Sequence, residues 1–124
     1  MIVLYFNTLM LYSVAISVDF EKGIFMSKDI HSEALDRLFD AVLSLTSREE
    51  CYDFFEDVCT MNELSAMSQR LAVASMLKDK HTYSDITATT GASTATIGRV
   101  SRTLNYGNDG YELVLSRLKA SEED

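Results

Sequence analysis

An all-α fold is what this sequence predicts, and three observations predict it. There is no proline and there are only five glycines, so little interrupts a helix. From Ile30 onward apolar residues recur at three- and four-residue steps, the period of a helix buried along one side. Ser47 with Glu50, and Thr60 with Glu63, have the spacing at which a hydroxyl and a carboxylate each satisfy an N–H left free at a helix start.

The chain of 124 residues is the size of one domain, with apolar content enough for a core. We set apart residues 1–25 as an apolar extension, 26–120 as a helical domain and 121–124 as an acidic tail. Met1 to Val18 carries no charge before Asp19. Three readings of it stay open: a short membrane or signal segment, an added helix, or sequence upstream of the true start. It lacks a basic leading region, and a spanning helix needs about 20 apolar residues. Met26, followed by Ser-Lys-Asp and then an amphipathic pattern, is where we expect translation to begin.

Between Ile30 and Leu45 the helical spacing of Leu35, Leu38, Phe39, Val42 and Leu43 predicts a first helix. The Ser47/Glu50 box opens a short second helix rich in aromatics: Tyr52, Phe54 and Phe55, with Val58. From the Thr60/Glu63 box to Leu77 a longer helix aligns Met61, Leu64, Met67, Leu71, Ala74 and Leu77, widened by Val73 and Met76. A helix apolar over so much of its girth needs cover from more than one direction. For a chain this short, a second subunit is the expected cover.

Lys78 to Thr82 connects to Tyr83–Asn105, which reads as a helix, a tight turn and a second helix. Ile86 anchors the first. Gly91, with Ala92 and Ser93, breaks it, since glycine reaches a positive φ without steric cost. Ser93 can cap the next helix. Ile97, Val100 and Leu104 then form an inward stripe, and at 100° per residue Ala95, Gly98, Arg99 and Arg102 fall on the opposite face. Small residues there allow close approach to base edges, and guanidiniums can fork onto guanine or phosphate. An ordinary helical hairpin with solvated arginines is the competing reading. Asn105 to Gly110 reads as a turn, and Tyr111 to Ala120 as a last helix with Leu113, Val114, Leu115 and Leu118 inward.

With those segments in view the chain resembles the Trp repressor superfamily, and more closely the YerC/YecD group of Trp repressor-related proteins. The match lies in DFFEDVCTMNELSAMSQRLAVASML and TYSDITATTGASTATIGRVSRTLNYGNDGYELVLSRL, from about Phe54 to Leu118. This resemblance implies an intertwined homodimer of all-helical subunits and two projecting helix-turn-helix heads. It implies a transcriptional repressor reading palindromic double-stranded DNA, with half-sites about one helical turn apart. It also places Thr60, Arg70 and Arg99 where the Trp repressor holds its corepressor, a chemistry open to a small carboxylate effector. Where that repressor has a glycine beside the indole ring, this chain has Val100, which would fill the space; tryptophan is therefore not the expected ligand. Arg70 has a competing structural role, as a partner of Glu63 or Asp57, and the outward position of Arg99 favours DNA.

We expect Thr94, Ala95, Thr96, Gly98 and Arg102 to approach base edges, with Arg99 beside them and Ser93 at the helix start. Ser84, Thr87, Lys78 and Lys80 would touch phosphates and set register. Between Lys78 and Asn105 the only acids are Asp79 and Asp85, against Lys78, Lys80, Arg99 and Arg102. The net charge of −8 thus resides elsewhere, and it excludes a chain that coats nucleic acid indiscriminately.

An enzyme is not expected. His31 and His81 lie about fifty residues apart, no HExxH or CxxC occurs, and no glycine-rich phosphate loop follows a strand. No cofactor or metal is expected either. Cys51 and Cys59 sit about 12 Å apart along a helix, too far for a disulfide, so reduced thiols in the cytoplasm are the expectation. The rival function is a protein-interaction module that keeps the helix-turn-helix scaffold without DNA.

Overall fold

The computed structural model describes residues 30–124, which divide into two compact units at Ser47/Arg48. Among the described residues there are six helices and no strand.

In the first unit lies α1, Glu33–Leu43, shorter at both ends than the Ile30–Leu45 span expected from periodicity. Its limits follow from two serines. The Ser32 hydroxyl accepts the Leu35 N–H at 3.2 Å, and the Ser44 hydroxyl donates to the Ala41 carbonyl at 2.6 Å. Phe39 and Leu43 are exposed on this helix.

The second unit contains α2 (Arg48–Val58), α3 (Met61–Lys78), α4 (Tyr83–Thr90), α5 (Thr94–Tyr106) and α6 (Gly110–Glu122). The helix α2 begins directly after Ser47 and ends one residue before Cys59, so the two cysteines do not share it; both are free thiols. Thr60 and Glu63 form the reciprocal box expected of them. The threonine hydroxyl accepts the Glu63 N–H at 3.2 Å, and the carboxylate accepts the Thr60 N–H at 2.7 Å.

At its other end α3 closes in a Schellman arrangement, in which the Lys80 N–H reaches the Leu77 carbonyl and the His81 N–H the Met76 carbonyl, each at 3.1 Å. Lys80 takes the left-handed position, with φ 65. Helix α5 runs through Tyr106, two residues into the expected turn. Gly107 caps it in a conformation open only to glycine, since a Cβ there would collide with the Thr103 carbonyl. Helix α6 starts at Gly110 and continues through Ser121 and Glu122, beyond the expected end at Ala120.

The core is small and lies where α3, α4 and α5 meet: Val73, Ala74, Ile86, Ala92, Ile97 and Val100, with Leu77, Leu104, Tyr111 and Leu115 packed around it. Each large aliphatic in that cluster contributes roughly 1.5 to 3 kcal/mol by leaving water. The buried residues of α3 are Val73 and Ala74, in its last third. The expected stripe along its first half is instead exposed, with Met61 at 69 %, Met67 at 43 % and Leu71 at 37 %. Periodicity identified a helix with too much apolar surface for one stripe, and the chain itself buries only the end nearest the turn.

Candidate nucleic-acid interface

The α4–turn–α5 unit is fixed by local hydrogen bonds before any packing is counted. The Thr82 hydroxyl caps α4 by accepting the Asp85 N–H at 3.2 Å. At the other end Gly91 has φ 72 and ψ 4, and its N–H reaches the Thr87 carbonyl at 2.9 Å. An L side chain would be strained there although the nearest atom stands 4.0 Å from a Cβ. Thr90 ties the turn together, donating from its hydroxyl to the Ile86 carbonyl at 2.7 Å and accepting the Ala92 N–H at 3.2 Å. Ser93 then caps α5, accepting the Thr96 N–H at 3.2 Å and donating to the Thr96 hydroxyl at 3.1 Å.

Helix α5 separates two faces as its period dictates. Ile97 and Val100 are buried, while Ser93, Thr94, Ala95, Arg99 and Arg102 are exposed. Thr96 and Gly98 are half-buried at the margin, and a Cβ on Gly98 would meet nothing within 4 Å. No internal packing therefore demands a glycine at Gly98. Neither Arg99 nor Arg102 makes an ion pair among the described residues, so both guanidiniums keep their donors for an external partner. Ser84 and Thr87 are exposed at adjacent turns of α4, and Lys80 is exposed just before it. Lys78 differs from the rest: its ammonium is paired with Glu112 on α6 at 2.7 Å.

The residues considered for an effector are Thr60, Arg70 and Arg99. Thr60 precedes α3 and Arg70 lies ten positions later, about 15 Å along the axis at 1.5 Å per residue. Thr60 is committed as the α3 cap. Arg70 is half-buried and pairs with neither Glu63, whose carboxylate is on the Thr60 N–H, nor Asp57. Val100, 2 % exposed, is part of the core.

A second concavity, about 1220 Å³, runs between α2 and α3 and is lined by Tyr52, Phe55, Leu64, Met67 and Leu71 among others. Its lining is largely apolar and includes none of Ser93, Thr94, Ala95, Arg99 or Arg102. Among the described residues no three His, Cys, Asp or Glu side chains could share a metal ion, and no helix is long and apolar enough to cross a membrane.

Two functional contacts escape sequence reasoning. One is Glu112 on Lys78. The other is Gln69, whose amide Nε2 donates to the Thr90 carbonyl at 3.1 Å across 21 residues of chain. A signal for it existed: Gln69 stands four residues before Val73, hence on the buried side of α3, where a polar group needs a specific partner.

Comparison with known proteins agrees with this architecture. The family profile described as Trp repressor protein matches residues 33–119. The uncharacterized protein YerC of Bacillus subtilis (strain 168) is 54% identical over 95 residues, 77% of this chain and 91% of that protein. Two crystal structures superpose with a TM-score of 0.71 over 73% of this chain. One is a candidate Trp repressor from Staphylococcus aureus, 54% identical and covered over 90% of its length. The other is a TrpR-like protein from Eubacterium eligens, 58% identical and covered over 93%.

Proposed function

The chain belongs to the Trp repressor family, and from that premise we propose that it is a sequence-specific, DNA-binding transcriptional repressor acting as a homodimer. The observation that carries the proposal is the division of α5. Its buried face is fixed to α3 by Ile97 and Val100, and its other face offers Thr94, Ala95, Arg99 and Arg102, with no ion-pair partner for either guanidinium among the described residues. Thr94 and Thr96 can donate to or accept from base edges, Ala95 can meet a thymine methyl, and Gly98 lets the backbone approach. Ser84, Thr87 and Lys80 contact phosphates in this reading. Lys78 contributes chiefly by holding α6 through Glu112.

Exposed apolar residues of the second unit support the dimer. Tyr52, Met61, Met67, Leu71, Leu113 and Leu118 are all more than a third exposed, against six buried core residues among the described residues. The groove between α2 and α3 is the seat we assign to the second subunit. A symmetric pair of heads reads a palindrome.

Operator binding is independent of tryptophan in this account. Val100 is already packed in the core, and the Thr60 hydroxyl is engaged as a helix cap. Arg70 and Arg99, free of ion pairs among the described residues, leave a small carboxylate as the class of effector the site could take.

Retention of random-sequence duplex DNA by the purified protein at rising salt tests the proposal. Retention should fall steeply between about 50 and about 200 mM salt, by roughly one power of concentration per phosphate neutralised. A flat response, or none at any salt, would favour a protein partner on the same scaffold, a reading to which the net charge of −8 lends its weight.

A further inference from the structure

We infer that Gln69 is a positioning residue for the reading head, acting as a C-terminal cap delivered to α4 from a different helix. The inference rests on the proposed DNA-binding function for its consequence and on geometry for its cause. The last carbonyls of a helix have no partner within the helix and must be met by cap N–H groups, side chains or water. In α4 the Thr87 carbonyl is met by the Gly91 N–H and the Ile86 carbonyl by the Thr90 hydroxyl. The Thr90 carbonyl takes part in neither of these bonds. Its partner is the Gln69 amide at 3.1 Å, in a part-buried setting.

This bond has a mechanical consequence. Gly91, Ala92 and Ser93 are the only residues between α4 and α5, so the orientation of α5 follows the geometry of those three. Ala92 is held from inside by burial and by the Thr90 hydroxyl. Gln69 holds the same peptide segment from the α3 side, and it is the one side chain of α3 that hydrogen-bonds to the turn among the described residues. The Thr90 hydroxyl thereby braces the turn from within, through Ile86 and Ala92, and the Thr90 carbonyl ties it to α3 through Gln69. Gln69 contacts no base or phosphate in this role.

The test compares Gln69→Met, which keeps length and apolar packing but has no donor, and Gln69→Glu, which keeps shape but sets a carboxylate against a carbonyl. Amide hydrogen exchange at Gly91 and Ala92 is read first, in the free protein, because it needs no DNA. Exchange should quicken in Gln69→Met and more in Gln69→Glu, with the melting transition still cooperative. Affinity for the wild-type protein's selected duplex should fall roughly three- to tenfold in Gln69→Met, the scale of one hydrogen bond, and further in Gln69→Glu. The salt slope should stay at the wild-type value, since no phosphate contact is removed. Turn protection and affinity equal to wild type in Gln69→Met would show that Gln69 only packs, and would overturn the inference. If the wild-type protein selects no duplex, the function fails; the exchange rates still decide whether Gln69 holds the turn.

Discussion

Arg102 and Gly98 carry the sharpest statements at the scale of single residues. Arg102 is exposed on α5 and free of any ion pair among the described residues, so it contributes nothing to the fold that its removal would expose. Arg102→Ala should leave the melting temperature unchanged while weakening specific DNA binding by about 1 to 3 kcal/mol, the worth of a base-reading guanidinium. An affinity equal to wild type, measured on the selected duplex, would remove Arg102 from the interface. Gly98 inverts the usual expectation for a glycine in a helix. A Cβ meets nothing within 4 Å, so Gly98→Ala should stabilise the protein by up to about 1 kcal/mol through helix propensity alone. If the backbone at Gly98 approaches DNA, the same methyl group lowers affinity. A variant that is more stable and binds as well as wild type would place Gly98 away from the duplex.

Helices show where sequence reasoning succeeds and where it stops. Capping hydroxyls at Thr60 and Ser93 are local signals and were legible, because an N-cap needs only its own next three residues. The Gly91 turn was legible for the same reason. Contacts between helices were not: nothing within α3 says that Val73 and Ala74 face the turn while Met61 and Met67 face outward. Both sets share the helical period, and only the partner distinguishes them. The pairing of Lys78 with Glu112 was not legible either, because it spans 34 residues. Thr60 sits at the boundary of the two kinds of knowledge, a cap by local pattern and an effector residue by resemblance. Thr60→Ala should cost about 1 kcal/mol through loss of the box, seen as a fall of several degrees in Tm, with DNA affinity of the folded protein unchanged. An unaltered Tm would show that water replaces the hydroxyl at this exposed helix start.

The molecule as a whole is an acidic body with a reading face from which acid is nearly absent, and it exposes apolar side chains that one chain does not cover. Nineteen Asp and Glu face eleven Lys and Arg, yet the exposed side of α5 has no carboxylate. If the proposed second subunit covers these exposed apolar residues, sedimentation should give a dimer at micromolar protein. Leu71→Glu, on the wall of the groove between α2 and α3, should shift it toward monomer, because an unpaired charge at a closed interface is costly. A monomeric wild-type protein, or a Leu71→Glu variant still fully dimeric, would refute the assigned seat. The groove's apolar width could be read from α3 in the sequence, whereas the closing partner proposed for it, a second copy, leaves no local pattern.

Selection of duplexes from a random library, with and without L-tryptophan at near-physiological salt, tests the central claim most directly. We predict one enriched palindrome whose half-sites are separated by about one turn of DNA, recovered equally in both conditions because Val100 fills the core beside the reading helix. Enrichment that requires tryptophan would contradict the closed pocket, and a folded dimer that enriches no sequence in either condition would contradict the function itself.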